Sequence, residues 1–155
     1  MTTSIPCTLW PDPSSIPNLT PHQRQQAARA TALPFGILAG IPGTGKTFTA
    51  AALVRATTDQ IGRHFNCDGV QSLAVAAPTG KAAVRCSDAM QAYGLEINAT
   101  TIHRLLGITR NGHDGSGWGF YFNRSNPLRY RVIIIDEVSM LDTDLAASFF
   151  DAVAP

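Results

Sequence analysis

Residues Gly40 to Thr47 read GIPGTGKT, and no other stretch of the chain restricts its fold so tightly. Every fixed position of the pattern G-x-x-x-x-G-K-[ST] is filled. The pattern describes a loop that wraps phosphate. Glycines at 40, 43 and 45 let successive backbone N–H groups turn inward where a side chain would block an anion. Gly43, Thr44 and Gly45 form the cradle, Lys46 brings a full positive charge to the outer phosphates, and Thr47 offers a hydroxyl to Mg²⁺. The flanks suit the motif: Pro34 to Ala39 reads as a short buried strand, and Thr47 to Val54 as a helix packed on most faces. The start of that helix adds unpaired donors and a favourable dipole. The competing reading, an ordinary glycine-rich turn, leaves these flanks unexplained. The octet predicts binding of a nucleoside triphosphate.

A chain of 155 residues suits a single domain, with 45% hydrophobic and 15% charged residues excluding a disordered one. A net charge of +1 exerts no global pull on nucleic acid, so any such contact needs a local patch. Cys7, Cys67 and Cys86 make no C-x-x-C pair, and reduced thiols are the expectation. Neither Cys67 nor His22, His64 and His113 fall at zinc-binding spacings. The N-terminus lacks the basic start and apolar run of a signal peptide, and no stretch approaches the ~20 apolar residues that span a bilayer. A soluble, cytoplasmic protein without a membrane partner is expected.

Along the chain, residues 1–18 carry Pro6, Pro11, Pro13 and Pro17 and read as an extended leader, with Trp10 as a candidate anchor onto the body. Residues 19–155 read as one α/β domain. Thr20, Pro21 and Gln23 spell a helix start in which Gln23 completes a capping box, and Pro34 stops that helix. Thr57 to Gly69 is polar and irregular. Ser72 to Ala77 is a second buried strand, followed by a helix from about Lys81 to Ala92. Thr100 to Leu106 reads as a short helix, and the glycine-rich stretch from Gly107 to Asn126 as a long loop or ribbon. Arg131 to Asp136 is a β-branched run without polar alternation, as for a parallel strand covered on both faces, and a last helix starts near Thr143. Strands alternating with helices predict a parallel sheet with right-handed crossovers.

The run Val132 to Ile135 delivers Asp136 and Glu137 to the carboxyl end of its strand, where open α/β sheets bind ligands. Asp136 suits the Mg²⁺ that Thr47 also reaches, and Glu137 suits a general base that polarises water. Lys46, Asp136 and Glu137 are therefore the candidate catalytic set. The plainer alternatives are two solvated acids capping a strand, or an Asp-Glu start to the next helix. The Asp-Glu order and the lack of an N-K-x-D segment point to ATP rather than GTP.

Further segments resemble, in order, the first motor domain of the RecD-like superfamily 1B DNA helicases, over roughly residues 19–155. Ala77 to Ala83 (APTGKAA) resembles that family's motif Ia, Thr101 to Gly107 (TIHRLLG) is similar to its T-[IL]-H-R-L-L-G segment, and Ile134 to Asp142 (IIDEVSMLD) to its D-E-[AV]-S-M-[LV]-D signature. Phe120, Asn123 and Asn126-Pro127-Leu128 are similar to the approach to that signature. The resemblance implies a P-loop NTPase (RecA-like) fold with a parallel β-sheet flanked by helices. It also implies an ATP- and Mg²⁺-dependent motor moving 5′ to 3′ on single-stranded DNA. In it Gln23 would contact adenine, or would only complete its capping box. Thr79, Gly80 and Lys81 would grip DNA phosphates at a helix mouth, or would form a plain N-cap beside a solvated lysine. Thr101, His103 and Arg104 would lie near the DNA, with a purely structural role open for His103.

Compared with that family, the strand expected after the Asp-Glu pair and a second motor domain are missing from this chain, so the sheet should be incomplete. The second domain would supply arginines to the γ-phosphate, worth about 10³–10⁵ in rate in related phosphoryl transfers. Slow hydrolysis and no unwinding by this chain alone are expected, together with an exposed apolar face at Leu145, Phe149 and Phe150. Helicase–nuclease or replication and repair assemblies are the implied partners. A nucleotide-gated binding or assembly module without catalysis is the rival from another class, and a P-loop ATPase acting on protein is a third.

Overall fold

The computed structural model describes residues 10–61, 71–109 and 119–153. The chain divides into two compact units, one of Met1–Cys67 with Ala92–Leu95, the other of Asp68–Gln91 with Glu96–Pro155.

The first unit is built on two helices, α1 (Pro21–Ala30) and α2 (Lys46–Ile61). Helix α1 starts as its sequence dictates: Gln23 N–H donates to the Thr20 hydroxyl at 3.2 Å, and Thr20 N–H donates to Gln23 Oε1 at 2.9 Å. Both bonds satisfy donors that a helix start otherwise leaves open. Helix α2 buries Ala51, Ala52, Leu53 and Val54, as expected of a helix packed on most faces, and it runs on through Thr57 to Ile61 where irregular chain was expected. Its buried threonines are not orphaned, because Thr49 and Thr57 hydroxyls donate to the carbonyls of Gly45 and Leu53. Upstream, a 3₁₀ turn at Pro13–Ser15 is held by Asp12, and Ile16 and Leu19 are buried with Ala27, Ala52 and Leu53. Trp10 packs against that cluster; residues 1–9 of the predicted leader lie outside the described residues.

One expectation fails here. Pro34 to Ala39 is not a strand, and Phe35 and Ile37 are exposed. An apolar run becomes a strand only when a neighbour takes up its backbone N–H and C=O groups. The parallel sheet is built from Gln71–Ala77, Thr100–Thr101 and Tyr130–Ile135, and residues 34–39 have no place in it.

In the second unit β1 (Gln71–Ala77) lies between β2 (Thr100–Thr101) and β5 (Tyr130–Ile135), all parallel. Helix α3 (Gly80–Ala92) follows β1, and α4 (Ile102–Leu106) follows β2 directly, so Thr100 and Thr101 are strand rather than the helix start expected of them. Of β5, Val132 alone is buried outright. The two-sided cover read from its composition is therefore incomplete, and among the described residues β5 pairs with β1 alone. The glycine-rich stretch forms an antiparallel ribbon of β3 (Ile108–Thr109) and β4 (Gly119–Phe120), its middle lying outside the described residues.

The core of this unit joins Ala74 and Ala76 of β1 to Ile102, Leu105 and Leu106 of α4 and to Leu145, Phe149 and Ala152 of α5 (Thr143–Ala152). Leu128 N–H also donates to the Ala152 carbonyl at 2.8 Å, fixing the end of α5 to the chain that enters β5. The expected exposed face of α5 is thus corrected: Leu145 and Phe149 are buried against α4 and the sheet, and Phe150 is exposed. Phe149→Ala should therefore cost about 3–5 kcal/mol in urea unfolding, while Phe150→Ala should stay within about 0.5 kcal/mol. Equal losses would refute this packing.

Candidate functional site

The phosphate-loop motif is shaped by its own backbone. Gly43 and Gly45 have φ of 82° and 76°, a region that side chains disfavour, and a Cβ on Gly45 would also lie 2.8 Å from Gln23 Nε2. Lys46 opens α2, and its ammonium donates to the carbonyls of Gly40 at 2.8 Å and Ile41 at 3.1 Å. An ammonium has three donors, and among the described residues two of them hold the loop, leaving a third for an anion. Thr44 tightens the same turn by donating its hydroxyl to the Ile41 carbonyl at 2.8 Å. Thr47, next along α2, is half-buried. The loop fits a polyphosphate: the space beside Gly43 is open, with nothing within 4 Å of a Cβ placed there.

Gln23 has two tasks. While Oε1 accepts from Thr20 N–H, Nε2 donates to the Thr44 carbonyl at 3.2 Å. It lines a shallow hollow with Gln26, Leu38, Thr44, Lys46 and Thr49. Capping is thus observed. The amide keeps a second N–H and a second oxygen lone pair beyond these two bonds.

The remaining predicted residues lie in the second unit, along the carboxyl edge of the parallel sheet. Register pairs Ala77 with Thr101 and Ala76 with Ile135, so residues 78–81, 101–104 and 136–137 leave adjacent strands side by side. At a strand spacing of ~4.8 Å, the exits of β2 and β5 are separated by about 10 Å. Thr79 caps α3, its hydroxyl accepting from Ala82 N–H at 3.2 Å, and Thr101 caps α4 by accepting from Arg104 N–H at 3.2 Å. Both threonine hydroxyls therefore have structural work, while Lys81, His103 and Arg104 are exposed. His103 also faces the Phe120 ring, centroids 6.0 Å apart.

Asp136 prolongs the ladder through its N–H to the Ala76 carbonyl at 2.9 Å, and its Oδ1 accepts from Glu137 N–H at 2.9 Å. That bond accompanies a left-handed backbone at Glu137, φ 54° and ψ 41°, which costs a non-glycine residue on the order of 1 kcal/mol or more. Glu137 precedes a 3₁₀ turn at Val138–Met140, but its side chain does not cap it. Asp142 is the acid that caps the next helix, accepting from Leu145 N–H at 2.8 Å. The helix-start alternative thus holds for the backbone of Glu137, whose carbonyl accepts from Met140 N–H at 3.0 Å, and not for its side chain. Arg85 of α3, not singled out from sequence, reaches Glu137 Oε1 with Nη1 at 3.7 Å. The available signal was its place one helical turn beyond Lys81.

Beneath this edge Cys86 is 1% exposed. Burial, and then the charges of Asp136 and Glu137, push its thiol from 9.0 up to about 12. The contribution of this raised group to stability is intact below the unfolded thiol's 9.0 and is lost as pH climbs through about 12. Since the thiolate is the nucleophile, Cys86 should resist iodoacetamide at about pH 8 in the folded chain and react once urea is added. Peptide mass mapping reads this directly, and modification of the folded chain would contradict the packing.

Residues 23–155 match the family model described as an AAA domain. The RecD subunit of the RecBCD enzyme from Mycobacterium tuberculosis is 35% identical over 161 residues, covering 92% of this chain and 27% of that protein. The corresponding Mycolicibacterium smegmatis subunit is 38% identical over 149 residues, covering 86% and 25%. The ATP-dependent RecD2 DNA helicase of Deinococcus radiodurans is 35% identical over 119 residues, 77% of this chain and 14% of that protein. The chain thus spans about a quarter of the length of the RecD subunits it matches. With its phosphate loop and parallel sheet, the chain belongs to the AAA-domain family and is RecD-like.

Proposed function

We infer that the chain is the ATP-binding and hydrolysing part of a RecD-type DNA helicase motor that moves 5′ to 3′ on single-stranded DNA. The observation that carries this reading is the loop at 40–47, with Lys46 held by two loop carbonyls and, among the described residues, one ammonium donor left over. The RecD-like family supports the choice of nucleotide-driven chemistry. Lys46 and the N–H groups of Gly43 and Gly45 bind the phosphates, and Thr44 N–H, which donates to the Ile41 carbonyl at 3.3 Å, joins them on leaving that bond. The Thr47 hydroxyl and the Asp136 carboxylate are hard oxygen donors of the kind Mg²⁺ takes, and the ion when bound offsets phosphate charge. Glu137 accepts a proton from water as the water oxygen bonds to the γ-phosphorus and the bond to the leaving ADP oxygen breaks.

Gln23 is proposed to meet the base with its amide. Thr79, Gly80, Lys81, Thr101, His103 and Arg104 form the face toward single-stranded DNA. Lys81 and Arg104 supply its charge, so weakening them should lower affinity and flatten its salt dependence. Duplex unwinding, a second motor domain and any helicase–nuclease partners belong to a longer assembly.

Lys46→Ala should abolish binding of a fluorescent ATP analogue with Mg²⁺ while circular dichroism stays unchanged; retained affinity would refute the phosphate site. Glu137→Gln, in the natural full-length chain carrying this sequence, should keep ATP affinity and lose at least about 100-fold in kcat. Normal turnover would remove Glu137 as base and favour a nucleotide-gated module.

A further inference from the structure

We propose that Arg85 is a positioning residue for the Glu137 carboxylate, holding Oε1 so that Oε2 is presented to water. The inference rests on the assignment of Glu137 as general base made above. Its geometry lies wholly on one compact unit: Arg85 on α3, Glu137 at the carboxyl end of β5, Nη1 and Oε1 3.7 Å apart.

A glutamate on an exposed turn can take many rotamers, and a base works only from those within hydrogen-bond reach of its water. The backbone of Glu137 is already restricted: its φ of 54° is fixed by the flanking strand, the Asp136 Oδ1 bond and the 3₁₀ turn after it. This aims the side chain but leaves its torsions free. Among the described residues, Arg85 makes the only ion pair with Glu137. The capping role that would otherwise immobilise the carboxylate is absent.

An ion pair this accessible, with side chains 71% and 36% exposed, contributes little to stability. What it supplies is orientation: one carboxylate oxygen faces the guanidinium and the other is left for chemistry. The support is rigid, since α3 is held at both ends of this stretch, by the Thr79 cap and by Ala99 N–H donating to Ser87 Oγ at 2.9 Å. Ala82, Ala83 and Cys86 on the same helix are buried. The guanidinium thus projects from a fixed platform.

The test uses the natural full-length chain carrying this sequence, with saturating oligothymidylate. Arg85→Ala should lower kcat roughly 10-fold with KM for ATP and affinity for DNA within about 2-fold, because a misaimed base loses rate rather than binding. Arg85→Lys, which keeps the charge but not the fork, should recover part of the loss. In single-turnover hydrolysis, Arg85→Ala added to Glu137→Gln should slow the reaction no further, since the arginine acts only through that carboxylate. Unchanged kcat in Arg85→Ala, or additive losses in the double variant, would overturn the proposal. So would weakened DNA binding with normal kcat at saturating DNA, which would make Arg85 a phosphate contact instead. Normal turnover by Glu137→Gln would strike the base assignment, whereas a dead Glu137→Gln beside an unaffected Arg85→Ala would strike this inference alone.

Discussion

Parallel pairing along β1 governs what the second unit can do. A parallel strand must return to the same end of the sheet before its neighbour starts, so every chain exit at the carboxyl edge is followed by a crossover. Three strands in the order β2-β1-β5 consequently release Pro78, Ile102 and Asp136 at one edge, though these residues are far apart in sequence. The ladder even runs one residue past β5, through Asp136 N–H to Ala76. A one-residue slip of β5 would send Asp136 to the other face of the sheet and dissolve the arrangement. The α4–α5 core guards against it, because Ile133 and Ile135 of β5 pack against that cluster.

The phosphate loop depends on a different economy. Its order comes from carbonyls rather than from packed side chains: Ile41 C=O accepts from both Lys46 and Thr44, and Thr44 C=O accepts from Gln23. Such bonds position donors without occupying the space a phosphate needs. In and just before that loop, Leu33, Phe35, Ile37 and Ile41 are each exposed.

What could be read from the sequence was local. The capping box at Thr20 and Gln23 involves residues three apart, and the motif at 40–47 states its own backbone demands through Gly43 and Gly45. The Asp-Glu pair was legible because a β-branched run ends where it begins. What escaped was non-local. Pro34 to Ala39 has the composition of a strand, but composition names no partner to pair with. Leu145 and Phe149 looked exposed because a further strand and a second domain were expected to cover them, whereas the short helix α4, itself legible, does so through a packing that no local pattern states. The Arg85–Glu137 contact joins two segments whose proximity follows only from strand order.

The amide of Gln23 is shared between the first turn of α1 and the carbonyl of Thr44. Sharing makes the two reciprocal. Whatever steadies the helix start also steadies the loop, and whatever draws the loop away from Gln23 loosens the helix by the same free energy. One N–H and one oxygen lone pair of the amide stay outside these bonds, so a ligand that meets them there keeps both bonds and steadies helix start and loop together.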